Sequence, residues 1–294
     1  MTDQPQRLFA AFNGRQVEIH CGSDRLASQV RLRLHHLLAA PGPGAPAALR
    51  LTLREPAASY VELRDSAGRY VAGSLGHVLY FVRKWTTADF AAAHPHLLWL
   101  HAGAAAKDGA VVLLTGPSGA GKSTLAVRLL ERGWRLFGDD VVPVDVNRQA
   151  ALPLPFSPDV RTTPSEDLCD RRAFVEQPKQ VVAIPADRVA REPGLIGAIV
   201  LTEYDRDRDA RSSLAPISVI SAAEQLARAV AHPTSDTRGL VAGVFRLAQR
   251  TACYRLDYRD ATAAAADLAM LQGCAFEVAG PGCGAHDGRA SITS

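Results

Sequence analysis

The 294-residue sequence is poor in lysine and has no cysteine arrangement typical of a disulfide framework or a zinc site. Only four of its 33 basic residues are lysines, namely Lys84, Lys107, Lys122 and Lys179. The five cysteines are odd in number, scattered along the chain, and form no C-x-x-C pair. This cysteine usage argues for a reducing compartment.

Long hydrophobic runs are also missing. No apolar stretch approaches the ~20 residues that a membrane helix needs, and residues 1–7 lack the basic and apolar regions of a signal peptide. The net charge of +3 is too small to indicate a nucleic-acid partner by itself. With 47% hydrophobic and 21% charged residues, the chain is expected to be a cytoplasmic globular protein without a nucleic-acid or membrane partner.

A glycine-rich stretch at residues 116–123, hereafter the glycine loop, reads GPSGAGKS and fits the phosphate-binding pattern G-x-x-x-x-G-K-[ST]. Residues 110–115 predict a buried strand before it, and residues 124–132 predict a helix after it, closed by Gly133. This order presents backbone N–H groups and a helix N-terminus to phosphate. We expect Lys122 to reach the β- and γ-phosphates of ATP, and Ser123 to ligate Mg²⁺. The predicted nucleotide-binding residues are Gly116, Pro117, Ser118, Gly119, Ala120, Gly121, Lys122, Ser123 and Thr124.

The sequence predicts an α/β protein with a small N-terminal α/β domain at residues 1–95. Its predicted strands are residues 16–20, 49–54, 60–64 and 70–72, and its predicted helices are residues 25–38 and 75–90. A proline- and glycine-rich loop occupies residues 41–46. No catalytic constellation is visible here, so a folding or substrate-docking role is expected. His94 and His96, at its end, are interpreted as surface residues.

Residues 96–279 are predicted to form the domain that carries the glycine loop. Its further strands are predicted at residues 134–138, 179–185, 197–202 and 253–258, and its further helices at residues 222–231, 237–250 and 262–272. Residues 141–146 either extend the strand at 134–138 or turn back along it. Residues 151–164 suit an ordered, proline-rich loop near the site, and residues 280–294 a disordered tail.

Asp139 and Asp140 follow the predicted strand at residues 134–138, seventeen and eighteen residues after Lys122. Ligands of open α/β sheets lie beyond the carboxyl ends of strands, so this acid pair is expected to face the γ-phosphate. Phosphoryl transfer needs a metal ligand and a group that accepts the proton of the attacking hydroxyl. The two carboxylates can divide these tasks. His101, just before the glycine-loop strand, can approach the phosphates or the acid pair.

Three segments together resemble the catalytic domain of the HPr kinase/phosphorylase family. They are LHAG at residues 100–103, the glycine loop, and RGWRLFGDD at residues 132–140. The resemblance implies a P-loop kinase core of the HPr kinase/PEP carboxykinase type, with ATP as co-substrate. It implies that His101 is the active-site histidine, Asp140 the proton acceptor, Lys122 the nucleotide lysine and Ser123 the metal-ligating serine. If the chain is such a kinase, we expect Asp139 to hold the metal together with Ser123, directly or through water.

The sequence also departs from this family. The Leu-Glu-x-Arg-Gly context of its metal-binding glutamate is absent, and Glu166 and Glu203 are candidate substitutes. The family's later arginine-bearing loop is not recognisable, and either Lys179 or Arg161 is the candidate to stabilise the transferred charge instead. The first 95 residues do not resemble the family's N-terminal domain. The chain is therefore similar to divergent HPr-kinase-related proteins, some of which phosphorylate serine in ribosomal peptide precursors such as those of lasso peptides. A peptide or protein acceptor is expected, and the phosphocarrier protein itself is not.

Two other functions remain open from the sequence. A small-molecule kinase of the shikimate or gluconate type also carries acids after its second strand. A nucleotide-binding regulator or transport ATPase would use an acid after a late hydrophobic strand, and Glu203 after residues 197–202 mimics that arrangement. The oligomeric state is left open.

Overall fold

The structure, a computed structural model, describes residues 4–42, 47–160, 175–176, 179–207, 212–232 and 236–275. Arg161, Glu166, part of the loop predicted at 41–46 and the tail predicted at 280–294 lie outside the described residues. Within the described part of the chain, no helix combines the length and the apolar character needed to cross a membrane.

The first part of the chain forms a five-stranded sheet in the order β1-β2-β3-β4-β5, with two helices on one face. The strands are β1 (Gln6–Phe12), β2 (Arg15–Cys21), β3 (Leu49–Ala57), β4 (Tyr60–Asp65) and β5 (Tyr70–Gly73), and the helices are α1 (Asp24–Leu34) and α2 (Leu75–Ala93). Strand β1 was not predicted, and α1 ends earlier than predicted, in a 3-10 turn at His35–Leu37. The other predicted elements of this region are confirmed within a few residues.

In the remainder of the chain, the described residues form a nine-stranded sheet, a small three-stranded sheet and four α-helices. The strands are β6 (Leu98–Leu100), β7 (Gly103–Lys107), β8 (Ala110–Thr115), β9 (Arg135–Gly138), β10 (Val142–Asp145), β11 (Ala150–Ala151), β12 (Asp159–Val160), β13 (Val175–Glu176), β14 (Lys179–Val181), β15 (Gly194–Tyr204), β16 (Ser213–Pro216) and β17 (Ala252–Tyr258). The helices are α3 (Lys122–Leu130), α4 (Val219–Arg228), α5 (Thr237–Arg250) and α6 (Ala261–Ala275).

The large sheet runs in the order β6-β10-β11-β15-β8-β7-β9, and β17 pairs with β15. Strands β8, β15 and β17 are parallel, whereas β7 is antiparallel to both of its neighbours, β8 and β9. Because β7 is antiparallel to both neighbours, β8 and β9 run in the same direction. Strands β8 and β9 therefore end at the same edge of the sheet, and β7 begins at that edge. This edge therefore gathers the glycine loop, the acid pair and His101.

Strand β10 differs from both expectations for residues 141–146. It neither extends β9 nor turns back along it, and it pairs instead with β6 and β11. The predicted ordered loop at 151–164 is described as far as Val160, where β12 pairs with β14 in the order β12-β14-β13. Lys179 begins β14, so its backbone is placed, but its side chain lies outside the described part.

The hydrophobic core under the first sheet continues into the second part of the chain. It contains the buried faces of β1 to β4 and of both helices, together with Trp99, Val141, Leu154 and Phe156. The domain boundary predicted at residue 95 stays a prediction, but apolar contacts cross it.

His94 corrects one sequence-based interpretation, because it is buried rather than on the surface. Its ring nitrogens lie 2.8 Å from the carbonyl oxygen of Phe90 and 3.1 Å from that of Asn13. These contacts make His94 part of the packing between α2 and the β1–β2 turn. His96 is exposed, as expected.

Candidate active site

The glycine loop connects the end of β8 to the start of α3, as the sequence predicts. Inside the loop, the Ala120 N–H donates to the Pro117 carbonyl oxygen at 3.2 Å. The first hydrogen bond of α3 follows at once, from the Leu125 N–H to the Gly121 carbonyl oxygen at 2.8 Å. The strand, loop and helix order that suits phosphate binding is therefore present.

At two positions of the loop, both the backbone angle and the close packing require glycine. Gly121 has φ +80, and a methyl group there would overlap the hydroxyl oxygen of Tyr258. Gly116 has φ +145, and a methyl group there would lie 2.5 Å from the Thr202 carbonyl oxygen. The buried Tyr258 hydroxyl also donates to the Ala120 carbonyl oxygen at 2.9 Å, so β17 supports the loop from below.

The Lys122 side chain lies against the loop that it follows. Its ammonium donates to the carbonyl oxygens of Gly116 at 2.8 Å and of Pro117 at 3.0 Å. Lys122 is buried, and its charge also acts on Asp140. The glycine loop and the acid pair therefore share one electrostatic environment.

Asp139 and Asp140 lie immediately beyond β9, next to the start of α3. A methyl group on Gly103, the first residue of β7, would lie 3.5 Å from the Lys122 carbonyl oxygen and 3.8 Å from Asp139 Oδ1. Gly103 therefore lies close to both the start of α3 and the Asp139 carboxylate. Asp140 adopts φ +74, a left-handed conformation that is costly for a residue with a side chain and is often found at functional sites.

Asp139 is buried, with only 2% of its surface exposed. Burial, the largest effect, raises the pKa of Asp139 to about 6, and the nearby charge of Asp140 adds to the rise. Arg83 and a hydrogen bond from the Ser123 hydroxyl oppose it. Oδ1 of Asp139 has no hydrogen-bond partner among the described residues, although it is buried. A buried carboxylate oxygen without a donor is suited to a cation.

Asp140 has the opposite electrostatics. Burial acts to raise its pKa, but Arg83, His101 and Lys122 outweigh this effect and lower the pKa of Asp140 to about 2. Nδ1 of His101 lies 3.3 Å from Oδ1 of Asp140. The two adjacent carboxylates therefore differ in environment, which separates their possible roles.

Arg83 was missed by the sequence analysis, which found no catalytic constellation in the first 95 residues. It lies on α2, and its Nη2 is 3.1 Å from Oδ2 of Asp140, while its Nη1 is 3.6 Å from Oδ2 of Asp159. Burial works against the guanidinium charge, but the surrounding carboxylates hold the pKa of Arg83 above its ordinary value. A sequence signal existed, because Arg83 falls on the same helical stripe as buried Leu79, Thr86 and Phe90.

His232 also lies near the acid pair and was not assigned a role from the sequence. Burial and the charge of Lys84 lower its pKa, whereas the charge of Asp140 opposes the change. Its ring packs edge-on against Trp99, with the ring centroids 6.2 Å apart. His232 therefore packs on Trp99 within electrostatic reach of Asp140.

Of the proposed substitutes for missing family residues, only Glu203 has a described side chain. Oε2 of Glu203 lies 2.6 Å from Nη2 of Arg255, in an exposed ion pair at the end of β15. Glu166 and Arg161 lie outside the described residues, and the Lys179 side chain is not described. Among the described side chains, Arg83 and Lys122 are cations that act on the acid pair.

A magnesium ion is implied by the glycine-loop motif, and the residues present fit it. In the described part of the chain, no group of three or more histidine, cysteine, aspartate or glutamate side chains could hold a metal by itself. Mg²⁺ at nucleotide sites usually binds one or two carboxylates or hydroxyls together with substrate phosphates. Ser123 and the unpartnered oxygen of Asp139 supply that kind of partial site.

Comparisons with known proteins do not establish the activity of this chain. No family model matches the sequence, and no curated protein matches it. Among solved structures, the chain is similar to the Hpr(Ser) kinase/phosphatase from Coxiella burnetii, at 15% identity and a TM-score of 0.33. The match covers 62% of this chain and 99% of that one. This is a weak fold relationship, and it specifies neither activity nor substrate.

Proposed function

We propose that this protein is an ATP- and Mg²⁺-dependent kinase that transfers the γ-phosphoryl group to a hydroxyl group. One observation carries the proposal: the acid pair lies at the start of the helix that follows the glycine loop. The Ser123 hydroxyl of that helix acts electrostatically on Asp139, and the Lys122 charge acts on Asp140. A triphosphate held by the loop would have its terminal group next to two carboxylates with different environments.

The residues divide the work by their environments. The amides of the glycine loop and the Lys122 ammonium bind the triphosphate and neutralise part of its charge. Ser123 and Asp139 hold the metal, directly or through water, and the bound Mg²⁺ supplies further charge neutralisation at the phosphates. Asp140, ionised at neutral pH, orients the acceptor hydroxyl and takes its proton, and His101 holds one of its oxygens.

The acceptor is proposed to be a serine in a peptide or protein, such as a ribosomal peptide precursor. This choice rests on the resemblance of the segments around His101, the glycine loop and the acid pair to the HPr-kinase-related proteins. A small-molecule hydroxyl is the alternative acceptor. The transport-ATPase alternative depends on Glu203, which forms an exposed ion pair with Arg255 at the end of β15.

The test is transfer of labelled γ-phosphate with Mg²⁺ to a panel of serine peptides, polyols and water. We expect label on a peptide serine. Lys122→Ala should abolish transfer and weaken ATP binding, because it removes charge neutralisation. Asp140→Asn should keep ATP binding within a few-fold while lowering transfer by about 10²–10⁴-fold, since proton acceptance is lost. The control is Asp187→Asn, an acid that is 81% exposed.

The outcomes separate the alternatives. Label on a polyol but on no peptide would assign a small-molecule kinase, and label on water alone with every acceptor would refute the kinase proposal. Turnover of Asp140→Asn equal to that of the wild type would move the proton acceptor to another residue.

A further inference from the structure

Arg83 reaches the acid pair from a part of the chain that carries no nucleotide-binding motif. It lies in the middle of α2, 33 residues before the start of the glycine loop at Gly116, and its side chain is only 14% exposed. The guanidinium lies between Asp140 on one side and Asp159 of β12 on the other, at 3.1 and 3.6 Å. A long cation fixed between two carboxylates of different elements has little freedom to move.

The packing around Arg83 supports this fixed position. Its guanidinium carbon lies 5.9 Å from the ring centroid of Phe156, which is fully buried. Thr87, one turn further along α2, donates its hydroxyl to the Arg83 carbonyl oxygen at 2.9 Å. Both ends of the residue are thereby held, the backbone by the helix and the side chain by the loop that leads to β12.

The two oxygens of Asp140 are bound by different partners. Oδ2 faces Arg83 at 3.1 Å, and Oδ1 faces His101 Nδ1 at 3.3 Å. A carboxylate bound on both oxygens cannot rotate freely about its Cβ–Cγ bond, yet each oxygen keeps a further lone pair for another donor. Buried ion pairs are weak evidence for stability, so this arrangement suits orientation better than it suits fold stability.

We infer that Arg83 is a positioning residue for phosphoryl transfer, which fixes the Asp140 carboxylate in the orientation that accepts the hydroxyl proton. The inference rests on the proposed kinase function and deepens it. It makes transfer dependent on α2, although the nucleotide is bound by another part of the chain. The role of the first 95 residues then includes completion of the site as well as docking or folding.

The experiment compares Arg83→Met and Arg83→Lys with the wild type in the full-length protein. The matched control is Arg228→Met, since Arg228 is 69% exposed and pairs only with Glu224 in its own helix among the described residues. We expect Arg83→Met to lower kcat by about 10²-fold, because a displaced catalytic group costs that much. The Kd for ATP should stay within about threefold. The kcat of Arg83→Lys should be at least tenfold higher than that of Arg83→Met. The kcat of the Arg228→Met control should match that of the wild type.

Three results would overturn the inference. They are an unchanged kcat in Arg83→Met, an equal loss of ATP binding and of kcat, and no recovery in an Arg83→Lys variant that is folded by circular dichroism. A wild-type protein that transfers phosphate to no hydroxyl would instead refute the proposed function.

In that last case, the contact itself can still be tested in the nucleotide-free protein. Urea midpoints are compared for Arg83→Met, Asp140→Asn and the double variant, which form a double-mutant cycle. Non-additive shifts are expected if Arg83 holds Asp140. Additive shifts would overturn the inference.

Discussion

At the scale of single residues, the environment of Asp139 suits a bound cation but lowers the stability of the protein without nucleotide. Its pKa is raised to about 6, mainly by burial, against an ordinary value of 3.8. An acid with a raised pKa binds more protons in the folded state than in the unfolded state. The contribution of Asp139 to the free energy of unfolding therefore falls as pH rises from 3.8 to about 6. About two pKa units correspond to roughly 3 kcal/mol.

We therefore predict that Asp139→Asn stabilises the protein without nucleotide or Mg²⁺ by roughly 1–3 kcal/mol at pH 7.5. The gain should shrink at pH 5, where the wild-type carboxyl is largely protonated. Urea unfolding at the two pH values measures both effects, with Asp187→Asn as the exposed control. A destabilised Asp139→Asn at both pH values would show that the carboxylate is well solvated or well paired.

At the scale of elements, the sequence predicted the parts with clear periodicity and missed those defined by tertiary contacts. Strand β8 and helix α5 were predicted within a residue, because their apolar patterns and flanking signals are local. Strand β7 reads GAAAK, a composition with low strand propensity, and its place between β8 and β9 comes from burial rather than from local preference.

The candidate site divides in the same way. The glycine loop, the acid pair and His101 follow from motif spacing, and the structure brings them to one sheet edge. Arg83 could not be placed from the sequence, because its contact with Asp140 joins residues 57 positions apart, one in α2 and the other just after β9. The arginine on an otherwise buried helical stripe was the available signal, but it did not reveal its partner.

The loop and β17 are predicted to act as one unit through Gly121 and Tyr258. Gly121→Ala should weaken ATP binding by at least tenfold, because its methyl group overlaps the Tyr258 hydroxyl and φ +80 strains the backbone. Adding Tyr258→Phe should recover only part of the affinity, since the overlap is reduced and the strain remains. Isothermal titration with ATP measures this, with Tyr258→Phe alone as the control. Normal binding by Gly121→Ala would contradict the fixed loop geometry.

At the scale of the whole molecule, a shared core crosses the predicted division at residue 95, which itself stays a prediction. Side chains from α2 and β1 pack in one cluster with Trp99, Leu154 and Phe156, and Arg83 crosses the same boundary to reach Asp140. Separate domains unfold independently when few contacts join them. Here a continuous buried core and ion pairs join the two parts, which favours cooperative unfolding.

We predict a single urea unfolding transition for the full chain. Trp85 lies in the core of the first part, and Trp134 lies in the core between α3 and the large sheet, so they report on different regions. The double variant Trp99→Phe/Trp134→Phe keeps Trp85 as its only tryptophan. The double variant Trp99→Phe/Trp85→Phe keeps Trp134. Their fluorescence midpoints should coincide with each other and with the loss of circular dichroism. An earlier midpoint for the Trp85 reporter would mean that α2 detaches first, so that Arg83 leaves the acid pair while the glycine loop is still folded.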